Sequence, residues 1–198
     1  MRRIGLLGGT FDPPHWAHLA AAEAARHDLG LSEVWFVPAG RPPHKRGRPV
    51  TPARVRLALL EGALEGARRF RVLADELRRR GPSYTVDTLE RLTRDHPGVE
   101  WWLVVGADML ADLPNWKRPD RVLALAGVAV VPRPGFSTRL PRRLGAASFR
   151  VVDAPLLDLS STDIRARVRR GASIGYLVPA AVERRVARLG LYRGSRCG

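Results

Sequence analysis

The chain has very little cysteine and no long apolar run. Its 198 residues include a single cysteine, Cys197, which excludes an internal disulfide and a thiolate metal cluster. No apolar run approaches the length of about eighteen residues that a membrane-spanning helix requires. The first apolar run stops at Gly8 and Gly9 without a cleavage-type segment, so a secretory signal is not expected. We therefore expect a cytoplasmic protein.

Lysine is also scarce, so the positive charge comes almost entirely from arginine. Only Lys45 and Lys117 are lysines, and the formal net charge is +15. Such a surface favours anionic partners but does not indicate a fold. A basic nucleic-acid-binding protein, whose affinity would fall steeply with salt, is one alternative. No recognised nucleic-acid-binding module is present, which disfavours that class.

Apolar, β-rich segments alternate with helical patterns, which predicts a doubly wound, mostly parallel α/β fold. The predicted strands are Arg3–Gly8, Glu33–Pro38, Phe70–Ala74, Trp101–Gly106, Val128–Pro132 and Phe149–Val152. The predicted helices are His15–Leu29, Pro52–Gly66, Thr85–Asp95, Arg118–Ala126, Thr162–Arg170 and Ala180–Leu189. We expect a single domain, 1–198, with about 160–198 as its C-terminal helical subregion. The sequence does not decide between a monomer and a homo-oligomer.

The most informative segment follows the first predicted strand and contains two histidines. In Gly8-Gly-Thr-Phe-Asp-Pro-Pro-His-Trp-Ala-His18, the glycines allow a sharp turn and close approach to a ligand. Pro13 and Pro14 are typical of a helix start. His15 and His18 would then share one face of the first turn. Free N–H groups and the positive end of the helix dipole favour phosphate there. The segment therefore predicts phosphate chemistry.

Neither common phosphate-binding fingerprint is present. The chain has no Gly-x-x-x-x-Gly-Lys-Ser/Thr and no Gly-x-Gly-x-x-Gly after its first strand, which disfavours a P-loop ATPase and a dinucleotide-binding dehydrogenase. His15 and His18 lack a nearby cysteine or acidic partner, so we predict no metal site built by the protein itself. Asp12 is predicted to cap the following helix rather than to act as a general base.

A second segment, Leu159-Ser-Ser-Thr-Asp-Ile-Arg165, lies far downstream. Ser160 or Ser161 can cap an amphipathic helix there. The two segments together resemble signatures of the nucleotidyltransferase superfamily, His-x-Gly-His and Ile-Ser-Ser-Thr-x-Ile-Arg, with Ala17 in place of the usual glycine. The resemblance implies a Rossmann-like nucleotidyltransferase fold and catalytic roles for His15 and His18. The ATP-binding residues that it implies are Gly8, Gly9, Thr10, Phe11, His18, Ser161, Thr162 and Arg165, with Arg165 also catalytic.

Further segments resemble bacterial nicotinate-nucleotide adenylyltransferases over nearly the whole chain. They are Pro42-Pro-His-Lys45, Tyr84-Thr-Val-Asp-Thr-Leu89, Gly106-Ala-Asp108 and Leu113-Pro-Asn-Trp-Lys-Arg118. The resemblance implies that Gly106 and Asp108 contact ATP and that Lys45 is both catalytic and substrate-binding. The other acceptor-binding residues are Tyr84, Thr85, Trp116 and Arg133. Trp116 would stack on the pyridine ring, with plain packing as the alternative.

The activity implied by this resemblance is adenylyl transfer from ATP to nicotinic acid mononucleotide, which gives deamido-NAD and pyrophosphate in NAD biosynthesis. Mg²⁺ would be carried with ATP. Sibling adenylyltransferases acting on phosphopantetheine or nicotinamide mononucleotide are the nearest alternatives. The sequence separates the nicotinamide form less securely, because it differs only by carboxamide in place of carboxylate.

Overall fold

The described part of the chain contains one sheet of six parallel strands. The computed structural model describes residues 1–41, 49–79, 81–141, 144 and 148–194. The strands are Arg2–Gly9 (β1), Glu33–Pro38 (β2), Phe70–Val72 (β3), Val99–Gly106 (β4), Gly127–Val131 (β5) and Phe149–Val151 (β6). Their order is β3-β2-β1-β4-β5-β6, and every neighbouring pair is parallel. All six predicted strands are confirmed, with ends that differ by at most two residues.

Helices connect and cover the strands. They are Trp16–Asp28 (α1), Ala53–Ala63 (α2), Asp75–Arg78 (α3), Thr85–Asp95 (α4), Ala107–Asp112 (α5), Pro119–Leu125 (α6), Ser161–Arg169 (α7) and Ala180–Arg188 (α8). A 3₁₀ turn covers Leu113–Asn115. The six predicted helices are confirmed, whereas α3 and α5 were missed. These two helices have only four and six residues, which is too short for a 3.6-residue apolar period to be recognised in the sequence.

Both faces of the sheet are buried, as the apolar character of β4 predicts. Trp101, Leu103 and Val105 pack into a cluster with α4, α5 and α6, whereas Trp102 and Val104 face the cluster that contains α1. The continuous apolar run is thus a strand with alternate side chains on two covered faces. Helices on both faces of a parallel sheet make this a doubly wound α/β fold, as predicted.

The last two helices belong to a third apolar cluster. Ile164 of α7 and Val182 and Val186 of α8 pack with Leu59 and Ala63 of α2. No helix among the described residues is long and apolar enough to cross a membrane.

The strand order places a crevice between β1 and β4. The chain leaves β1 toward β2 on one side and reaches β4 on the other, so the connections diverge at this point. Ligands of open α/β sheets bind in such a crevice, outside the carboxyl ends of the strands. The first histidine segment follows β1, Gly106 ends β4, and Arg133 follows β5. The topology therefore brings three predicted site segments to one edge of the sheet.

Candidate active site

The loop after β1 turns at Phe11 rather than at the two glycines. Gly8 and Gly9 end β1, while Phe11 has the left-handed φ of 51°. The prediction that the glycines form the turn is therefore wrong. A Cβ on Gly9 would lie 2.9 Å from the Phe11 ring, so Gly9 permits the ring to pack closely. A Cβ on Gly8 would meet no described atom within 4 Å, and this glycine borders open space. The Asp12–Pro13 peptide bond of the same loop is cis.

His15 and His18 face each other at the start of α1. Their ring centroids are 3.7 Å apart with an interplanar angle of 31°, which confirms that the pair shares one face. The backbone N–H of His15 donates to Nδ1 of His18 at 3.2 Å. A neutral His18 ring with an accepting Nδ1 carries its proton on Nε2. The edge of the Phe11 ring contacts His18 at a centroid distance of 4.9 Å.

His15 is held in the neutral form. Its side chain is buried, and burial together with the positive charge of Arg133 lowers the pKa of His15 to about 3. Nδ1 of His15 is buried and has no hydrogen-bond partner among the described residues. An unsatisfied buried polar atom is uncommon in proteins and is a reasonable partner for a ligand.

Asp12 does not cap α1, so that prediction is wrong. The residue before the helix is His15, because the helix begins at Trp16. The Asp12 carboxylate instead accepts hydrogen bonds from the backbone N–H of Thr51 at 3.2 Å and from the Tyr192 hydroxyl at 2.7 Å. Asp12 therefore makes hydrogen bonds with residues far along the chain, which local sequence patterns do not predict.

A small, open cleft lies beside His18 at the carboxyl edge of the sheet. Its lining includes Leu7, Ala17, His18, Val105, Gly106 and Arg133. A Cβ on Gly106 would collide with the end of the Asp108 side chain, which would have to shift to make room for it. Asp108 Oδ1 lies 3.5 Å from Arg133 Nε. Arg133, which was predicted to bind the acceptor, thus lies among residues predicted to bind ATP.

The second motif packs directly on the loop after β1. Ser160 caps α7, as predicted, because its Oγ accepts from the N–H of Asp163 at 3.1 Å. Ser161 Oγ donates to the carbonyl oxygen of Pro13 at 2.8 Å. Arg165 donates from Nη1 to the carbonyl oxygen of Asp12 at 2.8 Å, and its Nη2 lies 3.3 Å from Thr162 Oγ1. The fold therefore joins the two sequence motifs through side-chain-to-backbone bonds.

Two of the predicted acceptor residues, Tyr84 and Thr85, lie at the N-terminus of α4. Tyr84 precedes this helix, and its side chain makes no capping bond. Lys117 Nζ lies 4.6 Å from the centroid of the Tyr84 ring and 3.0 Å from Asp87 Oδ1. Trp116 packs partly against the apolar cluster, and its Nε1 has no hydrogen-bond partner among the described residues. Thr85 begins α4 and is half-buried.

Sequence reasoning missed Arg56. Its side chain is 1% exposed and donates to the backbone carbonyls of Thr10 and Thr51. In a chain with so many arginines, no local signal distinguishes a buried arginine from a solvated one.

Two further predictions concern Lys45 and metal binding. Lys45 lies outside the described residues. Across the described ranges, no group of three or more His, Cys, Asp or Glu side chains could hold a metal ion.

Comparison with known proteins first defines the class. Residues 6–167 match the family model described as cytidylyltransferase-like, so the chain is a nucleotidyltransferase. A curated protein from Thermomicrobium roseum is 47% identical over 98% of this chain and 92% of its own length. One from Geobacillus kaustophilus is 45% identical over 100% of this chain and 89% of its own. Both carry the name "Probable nicotinate-nucleotide adenylyltransferase". The chain belongs to the nicotinate-nucleotide adenylyltransferase family.

A solved structure shows the same fold. The nicotinic acid mononucleotide adenylyltransferase of Plasmodium falciparum, in complex with NaAD, superimposes with a TM-score of 0.81 at 16% sequence identity. The match covers 97% of this chain and 98% of the other.

Proposed function

We propose that this enzyme transfers the adenylyl group of ATP to nicotinic acid mononucleotide. A phosphate oxygen of the mononucleotide attacks the α-phosphorus of ATP, and the bond to the β-phosphate breaks, so the products are deamido-NAD and pyrophosphate. The observation that carries the proposal is the His15–His18 pair beside the cleft between β1 and β4. The chain is also 47% identical to a relative named as a probable nicotinate-nucleotide adenylyltransferase. The nucleophile is already ionised near neutral pH, so no strong general base is needed.

His18 acts on the phosphates around the transferring group. The N–H of His15 occupies its Nδ1, so a neutral ring presents an Nε2–H donor. The neutral His15 packs against His18 and holds its ring beside the cleft. Catalysis is then mostly positioning and stabilisation of developing charge.

Positive groups complete the phosphate site. Arg133 lies beside the cleft and close enough to His15 to lower its pKa, so it contacts phosphate where the two substrates meet. Ser161, Thr162 and Arg165 form a second phosphate clamp on the far side of the loop. The bonds of Ser161 and Arg165 to that loop hold the clamp beside it, and Thr162 contacts Arg165. Lys45 steadies the β- and γ-phosphates.

The acceptor ring binds at the N-terminus of α4. Thr85 and its neighbours offer backbone N–H groups there, because Tyr84 makes no side-chain capping bond. The helix dipole favours a carboxylate at this position, which suits nicotinate over nicotinamide. Lys117 lies beside it and is paired with Asp87 of the same turn. The exposed part of the Trp116 side chain packs beside the pyridine ring of the acceptor.

Nucleotidyltransferases of this kind generally use a divalent metal with ATP. We propose that this metal is Mg²⁺. Mg²⁺ keeps several waters and binds substrate phosphates with few protein ligands, which fits the lack of a carboxylate cluster among the described residues. When bound, it neutralises part of the triphosphate charge. We also propose that the enzyme acts in the cytoplasm.

Product analysis tests the proposal. The enzyme is incubated with ATP, nicotinic acid mononucleotide and Mg²⁺, and the dinucleotide and pyrophosphate are quantified by mass spectrometry and a coupled assay. We expect equal amounts of the two products and neither product without the acceptor. Pyrophosphate release without a dinucleotide would show hydrolysis of ATP and contradict the proposal.

A further inference from the structure

A buried polar network joins the loop after β1 to the end of the described chain. Asp12 is 3% exposed and accepts from the Tyr192 hydroxyl through Oδ1 at 2.7 Å. Its other oxygen, Oδ2, accepts from the backbone N–H of Thr51 at 3.2 Å. Both oxygens of the carboxylate are thus engaged by residues from distant parts of the chain.

Arg56 supplies the positive charge of this network. It is 1% exposed and donates from Nε to Thr51 O at 2.9 Å and from Nη1 to Thr10 O at 2.8 Å. Its Nη2 lies 3.4 Å from Gly40 O. The opposite charges of Arg56 and Asp12 attract each other, which offsets part of the cost of burying both. The network therefore holds the backbone on both sides of Phe11.

Backbone strain occurs at both ends of this connection. Tyr192 has a φ of 63° and Phe11 a φ of 51°, which is the left-handed region that side chains with a Cβ rarely adopt. Such strained residues cluster at functional sites. Phe11 contacts the ring of His18, so the strained loop touches the proposed catalytic histidine directly.

We propose that Tyr192, acting through Asp12, positions the loop after β1 and with it His18 for adenylyl transfer. Tyr192 is a positioning residue, because its hydroxyl is taken up by the Asp12 carboxylate rather than offered to substrate. The burial of Tyr192 and the neighbouring Asp12 charge raise the pKa of its hydroxyl, so it stays a donor. This inference rests on the proposed function for its kinetic consequence.

The test removes only the Tyr192 hydroxyl. In Tyr192→Phe we expect kcat to fall about tenfold, since small misplacements of catalytic groups are costly. KM for both substrates should stay within about twofold, because no residue that touches them is changed. Backbone hydrogen exchange should rise in peptides spanning Gly8–Asp12 and not elsewhere. The matched control is Tyr176→Phe, since Tyr176 is also left-handed but 99% exposed, and all its values should equal wild type.

A double-mutant cycle identifies the path of the effect. If Tyr192 acts through Asp12, adding Tyr192→Phe to an Asp12→Ala enzyme, which has no side-chain acceptor at this position, should change kcat by no more than about twofold, because coupled residues are not additive. A second full tenfold loss would overturn the inference. So would a Tyr192→Phe enzyme with wild-type kcat, or one whose hydrogen exchange rises uniformly as in general destabilisation.

Failure of the proposed function is separable from failure of this inference. A wild-type enzyme that makes no dinucleotide refutes the reaction, while the exchange measurement still tests the network. In that case, unchanged exchange over Gly8–Asp12 in Tyr192→Phe overturns the inference, and a local rise supports it.

Discussion

At the scale of single residues, His18 carries the largest expected kinetic effect. It lies between the ring of His15 and the cleft, and its side chain is half-buried on the first turn of α1. In His18→Ala, kcat should fall by about two orders of magnitude or more, on the scale of losing one preorganised electrostatic contact. Steady-state pyrophosphate release measures this loss.

The control for His18 comes from the same helix. His27 is exposed near the end of α1, so His27→Ala should keep wild-type turnover. Circular dichroism should show both variants folded. Near-wild-type turnover in a folded His18→Ala enzyme would refute its role.

His15 makes the stability depend on pH. Its pKa of about 3 in the folded protein lies below the ordinary unfolded value of about 6.5. The stabilising contribution of the neutral ring is therefore complete above pH 6.5 and is lost as the pH falls toward 3. Between pH 7.5 and 5, this residue alone should cost about 2 kcal/mol of unfolding free energy.

Urea unfolding of wild type and His15→Gln at the two pH values tests this contribution. The other titratable groups are common to both proteins, so their effects cancel in the difference. The wild type should lose about 2 kcal/mol more than the variant on acidification. Equal losses would show that His15 titrates normally in the folded protein.

At the scale of elements, α2 holds the site loop through one buried side chain. Arg56→Met leaves the carbonyls of Thr10 and Thr51 without these donors and leaves the Asp12 charge buried without its counter-charge. Leaving a buried acceptor without its donor costs about 1–3 kcal/mol, and urea unfolding should show a loss of at least that order. Arg54→Met, at an exposed position on the same helix, should change the stability by less than about 0.5 kcal/mol. Similar effects in both variants would contradict this account of Arg56.

The N-terminal cap of α7 should contribute to the stability of the protein but not to its turnover. Ser160→Ala removes the side-chain acceptor for the Asp163 N–H and should cost about 1 kcal/mol in urea unfolding. Turnover should stay near wild type, because Ser161 and Arg165 retain their bonds to the loop. A large loss of kcat without a loss of stability would show that Ser160 contacts substrate.

Local patterns predicted the elements well and the long-range contacts poorly. Short sequence periods predicted the strand at Trp101–Val105 and the alanine-rich helix that contains His18. The structure confirms both elements. Asp12 was assigned to the nearest helix, yet it bonds to Thr51 and Tyr192. Such contacts are set by how distant segments pack, which sequence spacing does not encode.

At the scale of the whole molecule, the doubly wound topology explains why widely separated motifs form one site. The strand order brings the ends of β1 and β4 together, and α7 returns to bond to the same loop through Ser161 and Arg165. The resemblance of the motifs predicted which segments would meet. The placement of Arg133 on the Asp108 side of the cleft depends on packing and was not predicted.

The most direct test of the account compares three acceptors in parallel. Pyrophosphate release from ATP is measured with nicotinic acid mononucleotide, nicotinamide mononucleotide and phosphopantetheine under the same conditions. The account predicts the highest kcat/KM with nicotinic acid mononucleotide, because the N-terminus of α4 favours its carboxylate. Release with another acceptor and none with nicotinic acid mononucleotide would contradict it.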